Sequence, residues 1–219
     1  MALFWSGQPG GPVRVTAVIP AFNEEARVGI TVEAAAQYVD EVLVIDDGSR
    51  DDTAAAAARA GARVLQQWRN QGYIAAIKRG FAEASGEIVV VIDADGEFAA
   101  NNIPSLVLPI LQGRADMVQG RRDVVPRPSE RVLTALAGLR GPVGDSGTGI
   151  RALRTELARR LNLRGECICG VFALEVLSLG GRIAETPVTL QRTDKPRRIA
   201  WFHLRQLKYV LSWVVRGRA

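Results

Sequence analysis

The stretch Ile88-Val89-Val90-Val91-Ile92-Asp93-Ala94-Asp95-Gly96-Glu97 decides the fold. An unbroken apolar run without alternation predicts a strand buried on both faces, as in the parallel sheets of α/β proteins. The run ends in two carboxylates one residue apart, with a third acid two positions on. Such a strand delivers them to its carboxyl edge, where open α/β sheets bind ligands. Carboxylates gathered there repel one another unless a cation neutralises them, and hard oxygen donors suit magnesium or manganese. Taken alone, the stretch fits two readings: a cation-assisted phosphate site, or a solvated acidic turn leading into the next helix.

Upstream, strand-like and helical patterns alternate. Residues 13–20 form a β-branched run, and residues 24–38 have helical periodicity with Asn23 as the expected N-cap. A second strand over 42–45 ends in Asp46-Asp47-Gly48-Ser49, after which Asp52-Thr53 opens an alanine-rich helix closed by Gly61. A third strand over 62–66 and a helix over 74–84 lead back to the opening stretch. The order βαβαβαβ predicts a parallel sheet with right-handed crossovers. Downstream, helices are expected over 102–112, 127–139, 155–161 and 171–180, with strands over 116–120 and 182–190. Between them, residues 141–149 are too rich in glycine for regular structure and are expected to approach a ligand.

At 219 residues the chain suits one sizeable α/β domain. His203 is the single histidine, so catalysis by a Ser-His or Cys-His pair would rest on one residue in a basic tail. Cys167 and Cys169 are too close in sequence for an easy bridge and have no evident partners, so they read as buried, inert thiols in a reducing cytosol. Residues 1–12 read as a flexible segment without the features of a signal peptide, and no apolar run approaches the roughly 20 residues of a spanning helix. Residues 192–219 carry a net +7, leaving −2 for residues 1–191. Without a recognisable nucleic-acid module, this basic tail does not predict a nucleic-acid partner. Residues 199–219 form a basic amphipathic segment with two readings. One lies at an anionic membrane surface on the cytoplasmic side; the other packs back on the domain or on a second copy.

Several motifs in order resemble one family. Val18-Ile19-Pro20-Ala21-Phe22-Asn23-Glu24, Ile45-Asp46-Asp47-Gly48-Ser49-Arg50-Asp51-Asp52-Thr53, Asn70-Gln71-Gly72 and Asp93-Ala94-Asp95 are similar to the family 2 inverting glycosyltransferases with the GT-A fold. Glu97, Gly120-Arg121, Asp145 through Thr148-Gly149-Ile150-Arg151-Ala152, and Glu185-Thr186-Pro187-Val188 resemble their polyprenyl-phosphate (dolichyl-phosphate) hexosyltransferase branch. The likeness covers residues 13–198, the expected GT-A domain. It implies a mainly parallel sheet flanked by helices, a nucleotide-diphosphate sugar as donor, and Mg2+ or Mn2+ as cofactor.

The resemblance also implies roles for individual residues. Pro20, Ala21, Asn23 and Glu24 would wrap the base and ribose, with Asp46 on the base edge and Asp47 ordering the turn and capping the following helix. Asp93, Ala94, Asp95 and Glu97 would form the diphosphate and metal end, with Asp93, Asp95 and Glu97 as metal ligands. Arg121 would face phosphate, and Arg151, Arg192 and Lys195 would extend the positive set toward a phosphate-bearing acceptor. Asp145 would be the acceptor-side carboxylate: a general base if the acceptor is a hydroxyl, unnecessary as one if it is an ionised phosphate. Glu175 would line the acceptor side or pair with Arg182. The chain departs from the branch at 192–198, where Arg-Thr-Asp-Lys-Pro-Arg-Arg stands in place of a Gly-x-Ser-Lys element. Polyprenyl phosphate and a soluble acceptor therefore both stay open, as does the oligomeric state.

Overall fold

The computed structural model describes residues 13–123, 128–141, 143–165, 167–191 and 200–216. Seven strands form one sheet in the order β3-β2-β1-β4-β6-β5-β7. The strands are β1 (Val15–Ala21), β2 (Glu41–Asp46), β3 (Arg63–Gln66), β4 (Ile88–Ile92), β5 (Met117–Arg121), β6 (Ile150–Arg154) and β7 (Ile183–Pro187). All paired neighbours run parallel except β6, which lies antiparallel between β4 and β5. The helices are α1 (Glu25–Ala36), α2 (Thr53–Arg59), α3 (Tyr73–Glu83), α4 (Ile103–Leu111), α5 (Pro128–Gly138), α6 (Thr155–Arg160), α7 (Val171–Ser178) and α8 (Ala200–Arg216).

The central strand is buried on both sides, as its composition requires. Val89 and Val91 join a core with α3, α5, α6 and α7, while Ile88, Val90 and Ile92 join a second core with α1 and α4. Burying each such side chain contributes about 1.5–3 kcal/mol, so this strand anchors two layers at once. Close approach of α3 to the sheet depends on Gly80, where a Cβ would stand 2.2 Å from Val18 Cγ1.

Register brings the functional segments to one edge. Ala21 pairs with Asp46, Val18 with Val91, and Ile92 with Ile150. Since β6 runs antiparallel, its first residue sits where β4 ends, and the glycine-rich loop before it meets Asp93. The reversal of strand order beside β1 and β4 opens the crevice that such sheets use for ligands.

The segment 150–154, to which the sequence alone assigned no element, is a strand. Asn23 does not cap α1: it adopts a left-handed φ of 55° and its Oδ1 accepts from Arg50 N at 2.9 Å, tying the end of β1 to the loop after β2. The amphipathic segment is α8, which packs on α5 and α7 with Val210 and Gln206 fully buried and His203 only 3% exposed. Its apolar face therefore completes the fold, while Arg205, Lys208, Tyr209, Leu211 and Val215 remain exposed. No described helix is long and apolar enough to cross a membrane.

Candidate active site

Pro20 and Ala21 close β1 and are buried, whereas Asn23 is exposed and Glu24 partly so, paired with Arg27 at 3.0 Å. Asp46, 2% exposed, accepts from Ser49 N at 3.0 Å and from Gln66 Nε2 at 3.4 Å. Asp47 does not cap the helix that follows it. Its carboxylate accepts from Gln67 Nε2 (2.8 Å), Gln71 N (2.7 Å) and Gly72 N (2.8 Å), so it secures the turn into α3 instead.

That turn positions Tyr73, which sequence reasoning missed although it directly follows Asn70-Gln71-Gly72. The Tyr73 hydroxyl donates to Asp93 Oδ1 at 2.6 Å. Burial, reinforced by the adjacent Asp93 carboxylate, pushes the Tyr73 phenol well above its ordinary pKa, so it stays a donor. On the other side of Asp93 stands Gly149, where a Cβ would lie 2.0 Å from Asp93 Oδ2. Ala94 is buried, its carbonyl accepting from Thr31 Oγ1 at 3.2 Å. Asp95 is 4% exposed and accepts from Glu97 N at 2.9 Å.

The three acids share one edge but do not converge on one point. Among the described residues, the one group of three His, Cys, Asp or Glu side chains whose ligand atoms all lie within 4.8 Å is Cys167, Cys169 and His203. Asp93 accepts from Tyr73 Oη, and Asp95 accepts from a backbone N–H. The donor set nevertheless fits Mg2+ or Mn2+, which are held by one or two carboxylates with substrate phosphates completing the shell.

Three arginines occupy different environments. Arg121 is exposed at the end of β5, beside the acidic edge. Arg122, to which sequence reasoning gave no role, is buried and donates to Asp145 from Nε (2.7 Å), Nη2 (2.8 Å) and its backbone N (3.1 Å), and to Glu130 from Nη2 at 2.7 Å. Burial opposes its charge, but the hydrogen bonds and charge of Asp145, then Glu130, outweigh that and raise its pKa. Asp145 is thus a buried carboxylate with both oxygens accepting from Arg122. Glu185 fixes the same loop, accepting from Gly144 N at 2.6 Å and Asp145 N at 3.0 Å.

Arg151, which the resemblance put in the positive set toward a phosphate-bearing acceptor, is fully buried. Its guanidinium lies 4.4 Å from the Phe172 ring centroid and donates through Nη2 to Thr148 O, while Nε and Nη1 have no hydrogen-bond partner. Burial lowers its pKa against the opposing charges of Tyr73 and Asp93. It therefore stands as a buried positive charge behind Asp93. Glu175 accepts from Asn162 N (3.1 Å) and Trp213 Nε1 (3.2 Å), and Arg182 pairs with Asp116 at 3.0 Å. The cysteines do have a partner, His203, with 3.6 Å between Cys169 Sγ and His203 Nε2. Arg192 and Lys195 lie outside the described residues.

Residues 16–174 match the family described as Glycosyl transferase family 2. The chain belongs to that family. An uncharacterized glycosyltransferase of Mycobacterium tuberculosis (strain ATCC 25618 / H37Rv) is 41% identical over 149 residues, 67% of this chain and 62% of the relative. An undecaprenyl-phosphate 4-deoxy-4-formamido-L-arabinose transferase of Pseudomonas paraeruginosa is 36% identical over 67% of this chain and 49% of its own length. The chain thus spans between about half and three fifths of these curated relatives. Among solved structures, glucosyl-3-phosphoglycerate synthase from M. tuberculosis in complex with phosphoglyceric acid aligns with a TM-score of 0.80 at 26% identity, covering 94% of this chain and 85% of the synthase. Another complex of that synthase holds Mn2+, UDP-glucose and glycerol 3-phosphate, with a TM-score of 0.75 at 26% identity, covering 92% of this chain and 80% of the synthase. The family 2 domain here accordingly has the GT-A architecture: a mostly parallel seven-stranded sheet between helices, with a further helix at its carboxyl end.

Proposed function

We propose that this family 2 domain transfers a hexose, with inversion, from a nucleotide-diphosphate sugar to a phosphate-bearing acceptor, a polyprenyl phosphate. The observation that carries the reading is the junction of β1, β2 and β4, where Ala21, Asp46, Asp93 and Asp95 occupy one edge beside Gly149. When bound there, Mg2+ or Mn2+ would supply Lewis-acid stabilisation of the diphosphate leaving group. Asp95 and Glu97 would hold it, with Asp93 aimed by Tyr73 and backed by the Arg151 charge. Arg121 would bind the acceptor phosphate, whose ionised oxygen attacks the anomeric carbon opposite the leaving group. No general base is then required, in keeping with an Asp145 committed to Arg122.

A soluble phosphorylated acceptor is the second reading, favoured by the likeness to glucosyl-3-phosphoglycerate synthase. Thermal-shift and calorimetric titration with UDP- and GDP-hexoses, with and without Mn2+, tests the donor side. Stabilisation requiring both metal and nucleotide sugar, and lost in Asp95→Ala, is expected; unaltered binding in that variant would remove the metal assignment. Product analysis with polyprenyl phosphate against glycerol phosphate then decides the acceptor.

Contact with an anionic membrane is part of the same reading. Arg205 and Lys208 supply the charge, while Tyr209, Leu211 and Val215 supply apolar surface on the outer face of α8.

A further inference from the structure

On the α7 side of the sheet, two thiols and an imidazole from two segments meet. Cys167 and Cys169 precede α7, and His203 lies in the first turn of α8. Cys169 and His203 are 5% and 3% exposed, while Cys167 is half-buried and leaves a way in. All three ligand atoms fall within 4.8 Å of one another, with 3.6 Å between Cys169 Sγ and His203 Nε2. A tetrahedral zinc ion with sulfur at about 2.3 Å and nitrogen at about 2.0 Å sets its ligands roughly 3.5–3.8 Å apart, so little closure is needed.

The surroundings orient the donors. His203 Nδ1 lies 2.8 Å from Ser129 Oγ on α5. With its proton directed to that hydroxyl, Nδ1 leaves the Nε2 lone pair turned toward the sulfurs, as in second-shell support of metal-bound histidines. Cys169 N donates to Cys167 Sγ at 3.2 Å, a bond that favours the Cys167 thiolate, whereas the contact with Cys167 and burial push the Cys169 thiol up, so its proton leaves only as metal binds.

We propose that Cys167, Cys169 and His203 bind zinc, at a site separate from the carboxylates of the donor edge. Two thiolates and an imidazole select zinc over magnesium or manganese, and binding releases the thiol protons to solvent. Water takes the fourth position on the Cys167 side. The bound ion links α8 to the segment before α7, and Ser129 brings α5 into the same unit. Next to this unit, Phe172 supports Arg151 behind Asp93. The site thus couples the helix carrying the basic outer face to the floor of the active site.

The test uses the full chain and its Asp95→Asn variant, so that metal at the donor edge is accounted for separately. After zinc loading and desalting, both should retain about one zinc per chain. Cobalt substitution should give thiolate-to-metal charge-transfer absorption, and zinc should protect both cysteines from a thiol reagent. Ser129→Ala should lower zinc affinity about tenfold to a hundredfold without changing the circular dichroism spectrum, and Cys169→Ser should abolish retention. Zinc retention unchanged in Cys169→Ser, absence of the charge-transfer band, or thiols that react equally with and without zinc would each overturn the site. Should Cys169→Ser fail to fold, an unaltered zinc affinity in Ser129→Ala overturns it alone.

Discussion

Asp145 and Asp93 are both acids at the active edge, but their neighbours give them different work. Asp145 is held on both oxygens by Arg122, whose side chain is 5% exposed and which also reaches Glu130. Removing one partner of such a buried pair leaves an uncompensated charge, so Asp145→Asn should destabilise the fold by about 3–5 kcal/mol, read by urea denaturation. A base-catalytic Asp145 would instead lose activity at nearly unchanged stability. Asp93 depends on a missing side chain: Gly149→Ala places a Cβ 2.0 Å from Asp93 Oδ2 in the present geometry. Displacing the carboxylate by about 1 Å should lower kcat about a hundredfold while the melting temperature moves little. Steady-state kinetics at saturating donor would measure it. Asp93 was legible from the strand that ends beside it, and Asp145 only from the family resemblance. Tyr73 and Arg122 were not, because a residue's partner across the fold leaves no local signal. Each nevertheless sits one position beyond a residue already singled out, Gly72 and Arg121.

At the scale of elements, the parallel half of the sheet was readable because each strand is a short apolar run bounded by turn residues. β6 was not, since Ile-Arg-Ala-Leu-Arg is neither an unbroken apolar run nor a clean alternation, yet Arg151 is buried against Phe172. The strand hidden there joins two parallel blocks and brings Gly149 to Asp93. Edges can also be tested by pH. Glu41 begins β2; burial raises its pKa, but hydrogen bonds from Ser85, Thr16 and Arg63 outweigh this and bring it below 4.5. A depressed folded-state pKa contributes stability that is present above the unfolded value and lost as pH falls through the folded one. The stability difference between the native chain and Glu41→Gln should therefore be largest near neutrality and shrink below pH 4.5. Chemical denaturation across that range reads it, and a gap that stays constant would mean that Glu41 acts through shape rather than charge.

For the whole molecule, the sequence announced an amphipathic basic segment but not which surface its apolar side would meet. Periodicity alone fits a membrane and a protein core equally well. In the fold, His203, Gln206 and Val210 point inward while Arg205, Lys208 and Tyr209 stay outside, so membrane contact rests on the outer face alone. Each surface cation contributes about 1 kcal/mol of attraction to an anionic bilayer, and the attraction is screened within a Debye length of about 8–10 Å at ordinary salt. Arg205→Glu combined with Lys208→Glu should therefore reduce sedimentation with anionic vesicles by well over tenfold, since reversal replaces attraction with repulsion. Leu211→Ser should weaken binding further, with less dependence on salt. Catalysis on a soluble phosphorylated acceptor should survive all three changes, because none touches the strand-end acids. If vesicle binding also persists, the outer face of α8 is not the docking surface. If it falls together with turnover of polyprenyl phosphate alone, the lipid acceptor and this face belong to one reaction.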